Sequence, residues 1–174
     1  TVNKSHDFLM FPSIDSVWLL RRKLYRQNTF NIIREERPGY NEKYHEINLT
    51  LTDTASTRGI LIKNIVKGGL LYEVKALIDT IKPPSKFVTE FFNNFTPLDT
   101  LVGPSILSDK TTNFFKAIKQ NDSIVHDGYA FLKFNKMHAD SLKYYISEFD
   151  FKDNQKYLQA YLIQKLAEMP DVDA

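Results

Sequence analysis

The 174-residue chain contains no cysteine, and glycine and proline are scarce, at six and seven residues. The absence of cysteine excludes disulfides, cysteine-ligated zinc and thiol nucleophiles, and it is compatible with any redox compartment. No internal repeat or low-complexity segment interrupts the sequence. What remains is the composition of a folded domain that holds together without covalent cross-links.

The chain also lacks a long apolar run and an excess of one charge. No segment approaches the ~20 apolar residues of a membrane-spanning helix, which predicts a soluble protein without a transmembrane segment. Twenty-three basic residues face twenty-one acidic ones, and this balance disfavours nucleic acid as a partner. Because the chain begins at Thr1, with no charged-then-apolar signal segment, we expect an extracytoplasmic location slightly ahead of a cytoplasmic one.

Aromatic residues, by contrast, are abundant, with thirteen Phe and nine Tyr. Hydrophobic residues make up 43% and charged residues 25%, as in ordinary globular proteins. A chain of this length and composition buries a sizeable core. We therefore predict a single globular domain over residues 1–174, with residues 1–11 as an N-terminal arm.

Hydrophobic periodicity predicts an α+β fold, with a mixed or mainly antiparallel sheet of about four strands and four to six helices packed on it. The predicted sheet consists of a hairpin over 28–52, whose second strand is 44–52, a third strand at 59–66 and a strand at 129–134. The predicted helices are 13–27, 70–81, a short helix after Ser85, 108–119, one after Asn135, and 153–168.

The stretch 122–149 is predicted to form the middle of the fold. Residues 129–134 are largely apolar on both alternating faces, which is typical of a strand covered on both sides. Asn135 then suits the N-cap of a helix, because its side-chain oxygen can accept a backbone N–H in the first turn. Leu142 and Phe149 belong to the apolar stripe of that helix.

A cluster of bulky apolar residues around 87–95 is the main candidate for a functional surface. Five such residues fall within nine positions, so the segment is either deeply buried or a docking surface. A loop with Pro97, Gly103 and Pro104 follows. We predict a non-catalytic binding domain with a protein partner, and the predicted binding residues are Phe87, Phe91, Phe92, Phe95 and Asp99.

A metal-dependent phosphodiester or phosphate-ester hydrolase is the alternative hypothesis. Glu73, Val74 and Lys75 resemble the Glu-x-Lys element of the PD-(D/E)xK nuclease fold, in which a strand presents both side chains beside Mg²⁺. The resemblance covers three residues, with Asp53 as the upstream carboxylate. It requires residues 70–77 to be a strand, whereas the apolar spacing there favours a helix.

His126 and Asp127 offer a second catalytic arrangement, a base with its orienting carboxylate near Asp99. A loop-end histidine beside a turn-forming aspartate explains the same residues without catalysis. The pair cannot share a metal with His138 across a strand of about eight residues, because the ends of that strand lie ~25 Å apart. The prediction is therefore no catalytic residue, no metal and no cofactor.

A basic cluster lies at the end of the first predicted helix. Cations at this position complement the helix dipole, which explains the cluster as a solvated helix end. The alternative interpretation is a phosphate or nucleic-acid site. Its candidate residues are Arg21, Arg22, Lys23, Arg26, Arg34 and Arg37.

Overall fold

The computed structural model describes residues 1–38, 43–53 and 56–169. The chain divides into two compact units, of which the first comprises Thr1–Asp7 and Phe11–Ser108. The second comprises Phe8–Met10 and the chain from Asp109 onwards. That the whole chain behaves as one domain stays a prediction.

The first unit is built on a five-stranded antiparallel sheet with the strand order β1-β5-β4-β3-β2. This confirms the α+β class and the antiparallel arrangement. The strands are β1 (Val2–Lys4), β2 (Asn31–Glu36), β3 (His45–Thr52), β4 (Arg58–Lys67) and β5 (Leu70–Asp79). The described residues of the unit also form two helices, α1 (Ile14–Gln27) and α2 (Lys86–Asn94).

The predicted hairpin over 28–52 and the strand at 59–66 are confirmed. β2 pairs with β3, and all eight residues of β3 pair with β4. The connection at 39–42 lies outside the described residues. On β3 the side chains of Ile47, Leu49 and Leu51 are fully buried, as the alternation predicts, because successive side chains of a strand point to opposite faces.

The predicted helix over 70–81 is wrong, because residues 70–79 form β5. A two-residue turn joins β4 to β5, with Lys67 paired to Leu70. Gly68 adopts a left-handed φ of 57°, as the first central residue of a type II′ hairpin turn does. The ten-residue ladder with β4 satisfies the backbone of this segment, and that pairing outweighs its helix-like apolar spacing.

The core of the first unit lies between α1 and one face of the sheet. Val17, Trp18 and Tyr25 of α1 pack in one cluster with the buried face of β3 and with Ile62 of β4. Ser13 caps the helix by accepting the N–H of Ser16 at 3.3 Å. The prediction of a capped helix over 13–27 is therefore confirmed.

The second unit is helical in its described residues. Its helices are α3 (Thr111–Gln120), α4 (Ile124–Gly128), α5 (Ala139–Glu148) and α6 (Lys156–Ala167), with 3₁₀ turns at Tyr129–Phe131, Lys136–His138 and Asp153–Gln155. Phe114, Leu142 and Leu158 lie at the centre of its core. Across all the described residues, none of the helices is long and apolar enough to cross a membrane.

The predicted strand at 129–134 is wrong. Residues 129–131 continue from α4 as a 3₁₀ turn, and the second unit supplies no strand within its described residues to pair with this segment. Backbone groups must be paired, and without a neighbouring strand residues 129–131 pair theirs locally in the 3₁₀ turn, while residues 132–134 form neither helix nor strand. Asn135 is an N-cap as predicted, and its side chain accepts the N–H of Met137 at 3.0 Å.

Candidate binding surface around α2

Helix α2 divides its aromatic side chains between the core and the surface. Ser85 caps the helix by accepting the N–H of Val88 at 3.3 Å, which fixes where the helix begins. Phe92 is buried, whereas Phe87 is 76% exposed and Phe91 is 45% exposed. The two interpretations of this cluster, core and docking surface, therefore each describe part of it.

The exposed phenylalanines form one wall of a shallow hollow. The rings of Phe87 and Phe91 are stacked, with centroids 6.2 Å apart and planes inclined by 18°. Phe95 extends the aromatic surface, with its ring centroid 5.8 Å from that of Phe91. The hollow has a volume of about 430 Å³, and Glu90 and Asn94 contribute its polar part. Aromatic rings held rigidly in contact present a large apolar area at little entropic cost.

A deeper groove lies on the other side of α2, over the second face of the sheet. Its volume is about 640 Å³, within the range of ligand-binding clefts. Phe92 and Phe95 line one side, and polar side chains from the sheet line the other. These polar residues are Arg34 and Glu36 of β2, Glu46, Asn48 and Thr50 of β3, and Lys63 of β4.

Two of these polar groups are buried charges. The ammonium of Lys63 lies 3.3 Å from the carboxylate of Glu46, and their side chains are only 7% and 10% exposed. Asn48 donates its Nδ2 to Glu46 at 2.9 Å, and its Oδ1 has no partner among the described residues. A carboxylate only accepts, so the amide orientation is fixed. The groove thus contains a charged pair and one unsatisfied acceptor.

Asp99 follows α2 in the adjoining loop. Its carboxylate lies 3.4 Å from the ammonium of Lys43 and 3.7 Å from that of Lys67. It lines a third hollow of about 770 Å³, and Thr96 borders all three hollows. The five predicted binding residues are thus brought to one continuous part of the first unit, although their role stays a prediction.

Sequence reasoning missed Glu46, Asn48 and Lys63 as residues of this surface. Glu46 lies on the face of β3 opposite Ile47, and its side chain is nonetheless nine-tenths buried. The sequence does contain one indication of this polar site: Lys63 and Asn64 interrupt an otherwise apolar strand. A lysine inside such a strand needs a partner, and the strand beside it supplies one.

Glu73 and Lys75 lie on one face of β5, as the hydrolase hypothesis requires, with the carboxylate 2.7 Å from the ammonium. Glu73 also forms an ion pair with Arg21 of α1 and accepts the hydroxyl of Tyr25 at 2.6 Å. The carboxylate is therefore already neutralised and hydrogen-bonded by this network.

The structure does not bring Asp53 to this pair. Asp53 follows Thr52, which pairs with Gly59 of β4. Gly59 in turn pairs with Ile78, which lies five residues along β5 from Glu73. That separation is about 17 Å along the strands. Among the described residues, no group of three or more His, Asp or Glu side chains is arranged to hold a metal ion.

His126 and Asp127 are neighbours on the short helix α4, where adjacent residues do not face each other. The ring of His126 contacts the hydroxyl of Tyr157 through its Nδ1. Burial raises the pKa of Tyr157, and Tyr129 and the carboxylate of Asp127 raise it further. Asp99, which the hydrolase hypothesis places near this pair, belongs to the first unit, whereas His126 and Asp127 belong to the second.

His138 is held by hydrogen bonds on both ring nitrogens. Its Nδ1 accepts the N–H of Asn135 at 3.0 Å, so Nε2 carries the proton towards Asp109 at 3.1 Å. Burial raises the pKa of Asp109, but hydrogen bonds from Thr111 and His138 outweigh it and hold that pKa below 3.8. The arrangement fixes the start of α3 to the turn before α5.

Four of the clustered arginines are engaged in ion pairs within the first unit. Arg21 pairs with Glu73, and Arg22 with Glu35 at 2.9 Å. The other two pairs are Arg34 with Glu36 at 2.5 Å, and Arg37 with Asp15 at 2.6 Å and with Glu35 at 3.3 Å. Their charges are largely compensated locally.

Comparison with protein-family models, with curated proteins and with solved structures finds no match to this chain.

Proposed function

We propose that the chain is a non-catalytic binding domain that recognises a segment of another protein through the exposed face of α2 and the adjoining groove. The observation that carries the proposal is the stacked pair of Phe87 and Phe91 at the surface. Large aromatic side chains that are rigid before binding are typical of interface hot spots, because burying them removes much apolar area from water.

The charges of the groove indicate the chemistry of the partner. Glu46 is paired with Lys63, and Arg34 with Glu36, so these four side chains carry no net charge. A neutral groove beside an aromatic hollow suits a peptide segment with an apolar anchor and uncharged polar groups. A nucleic acid would instead require a surplus of positive charge to displace its counterions.

The test is a peptide selection on the intact chain, followed by titration of the selected peptides. Peptides from a phage-displayed library are synthesised with a fluorescent label and titrated by anisotropy against the native chain and the double variant F87A/F91A. We expect about thirtyfold weaker binding by the variant, which corresponds to the ~2 kcal/mol of a hot-spot residue.

Phe131→Ala is the matched control, because Phe131 is also an exposed phenylalanine but lies in the second unit. It should leave the affinity unchanged. The proposal fails if the selection enriches no peptide, or if the selected peptides bind F87A/F91A as tightly as the native chain. Circular dichroism spectra of both variants establish that they remain folded.

A Mg²⁺-dependent phosphodiester hydrolase is a second candidate, supported by the position of Glu73 and Lys75 on one strand face. Its test is cleavage of bis(p-nitrophenyl) phosphate with and without Mg²⁺. Mg²⁺-dependent turnover that Lys75→Ala abolishes would favour it. Turnover that is absent, or unchanged in both Lys75→Ala and His126→Ala, would remove both catalytic arrangements.

A further inference from the structure

Lys67 is a buried lysine whose counter-ion is almost fully exposed. Its side chain, at the end of β4, is only 4% exposed, and its ammonium donates to the carbonyl of Leu98 at 2.5 Å. Among the described residues, the one carboxylate within 4 Å of this ammonium is that of Asp99, at 3.7 Å. Asp99 is 82% exposed and lies 3.4 Å from Lys43 as well. Water screens an exposed carboxylate, so it compensates the buried ammonium only weakly.

Lys63 shows the ordinary arrangement, four residues earlier on the same face of β4. Its side chain is 7% exposed, close to the 4% of Lys67, but its ammonium lies 3.3 Å from Glu46, which is itself only 10% exposed. Lysine is almost never buried without a partner, because a charge removed from water needs an opposite charge nearby. Within the described residues, Lys67 therefore lacks the buried carboxylate that Lys63 has.

The hollow beside Lys67 has room for such a carboxylate. Its volume is about 770 Å³, and Tyr44, Thr96 and Leu98 line it together with Asp99. Tyr44 and Thr96 also line the groove beside α2, and Thr96 lines the aromatic hollow, so the three spaces adjoin. A ligand held in the aromatic hollow can thus extend to Lys67 along the surface of the first unit.

The strands between the aromatic hollow and Lys67 show how far apart the two ligand groups lie. Phe95 packs against Tyr72, with ring centroids 6.4 Å apart, and Tyr72 pairs with Ile65. Lys67 is two residues further along β4 than Ile65, which is about 7 Å. Since an extended peptide covers about 3.3 Å per residue, a carboxylate about two to four residues from the apolar anchor reaches the ammonium.

We propose that the hollow beside Lys67 binds a carboxylate of the peptide, about two to four residues from its apolar anchor. This inference rests on the proposed function and adds an acidic group to the partner. The ammonium has three N–H donors, of which Leu98 takes one. One ammonium balances the single charge of a carboxylate, whereas a phosphate would bring about two. Asp99 lies closer to Lys43 than to Lys67, so it keeps a cationic partner when the ligand takes its place.

The test uses the peptides that the selection on the native chain enriches. We expect an acidic residue near the apolar anchor to recur among them. Each peptide is synthesised with that residue intact and with its amide in place of it, and with a free and an amidated C-terminus, which separates a side-chain carboxylate from a terminal one. Removing the carboxylate should weaken binding to the native chain about tenfold, as the loss of a charge-assisted hydrogen bond does.

Lys67→Met is the decisive variant, and Lys75→Met is its matched control. Lys67→Met should bind the acidic and the neutralised peptide equally, because it lacks the ammonium that distinguishes them. Lys75→Met removes the same charge from a half-exposed lysine on the opposite face of the sheet and should retain the preference of about tenfold. Circular dichroism establishes that both variants remain folded.

The inference is overturned if the carboxylate can be removed without loss of affinity, or if Lys67→Met still prefers the acidic peptide. If such peptides nevertheless bind F87A/F91A more weakly than the native chain, the proposed function stands and this inference alone fails. A selection that enriches no peptide overturns both.

Discussion

The network around Glu73 gives the sharpest prediction about stability. The carboxylate is 10% exposed and pairs with Arg21, which is 16% exposed, while Tyr25 donates its hydroxyl at 2.6 Å. Glu73→Gln keeps the shape of the side chain but removes its charge. The guanidinium of Arg21 then remains largely buried without a counter-ion, and its Nε already lacks a partner among the described residues.

Breaking a fully buried ion pair costs about 3–5 kcal/mol, and we expect about 2–4 kcal/mol here because the pair retains some contact with water. For a urea m-value of about 2 kcal/mol/M, the unfolding midpoint should fall by about 1–2 M. The assay is urea unfolding followed by fluorescence. Trp18, the single tryptophan, is buried in the core of the first unit and reports on that unit.

Two further variants separate this explanation from a general loss of packing. Lys75→Met removes the half-exposed partner of Glu73 and should change the unfolding free energy by no more than about 1 kcal/mol. The double variant R21M/E73L replaces both charges with apolar groups and should recover most of the stability. A Glu73→Gln variant as stable as the native chain, or an R21M/E73L variant less stable than Glu73→Gln, would refute this explanation.

Three other predictions concern the core, a turn and pH. Leu49→Ala should lower the unfolding free energy by about 2–5 kcal/mol in the same fluorescence assay, because Leu49 is fully buried in the core of the first unit. Gly68→Ala should cost about 1–2 kcal/mol because of the left-handed φ of 57°, and Gly68→Asn should cost less; equal costs would contradict the strain argument. The pKa of Asp109 is lower in the folded chain than its ordinary value of 3.8, so its contribution to stability is present above that pH and is lost as the pH falls through the folded-state pKa. The stability difference between the native chain and Asp109→Asn, followed by far-ultraviolet circular dichroism, should therefore shrink below about pH 4, and a constant difference would rule this out.

The strands β2 to β4 could be predicted from the sequence because two local signals agree there. The apolar residues of β3 alternate, β4 is mostly apolar, and polar segments separate the three strands. β5 could not, because Leu70, Val74 and Leu77 fit helical spacing, while Leu70, Val74 and Ile78 fit strand alternation equally well. Pairing with β4 makes the segment a strand rather than a helix. That pairing is a long-range interaction, which no short window of sequence contains.

The error at 129–134 has the opposite origin. Residues 129–134 do form an apolar run, but a strand is stable only beside another strand, and the described part of the second unit is helical. Asn135 was nevertheless recognised as a cap, because capping depends on a side chain and the backbone two or three residues away. Local interactions were thus predictable, and interactions across the fold were not.

The two faces of the sheet show why the candidate site lies where it does. Each face carries a largely buried carboxylate paired with a cation, Glu73 with Arg21 on one and Glu46 with Lys63 on the other. On the first face, α1 covers the pair and Tyr25 completes its hydrogen bonds, so the network is explained by stability alone. On the second, α2 leaves a groove of about 640 Å³ beside the pair. A buried charged pair bordering an open groove can orient a polar ligand, whereas the same chemistry enclosed beneath a helix cannot.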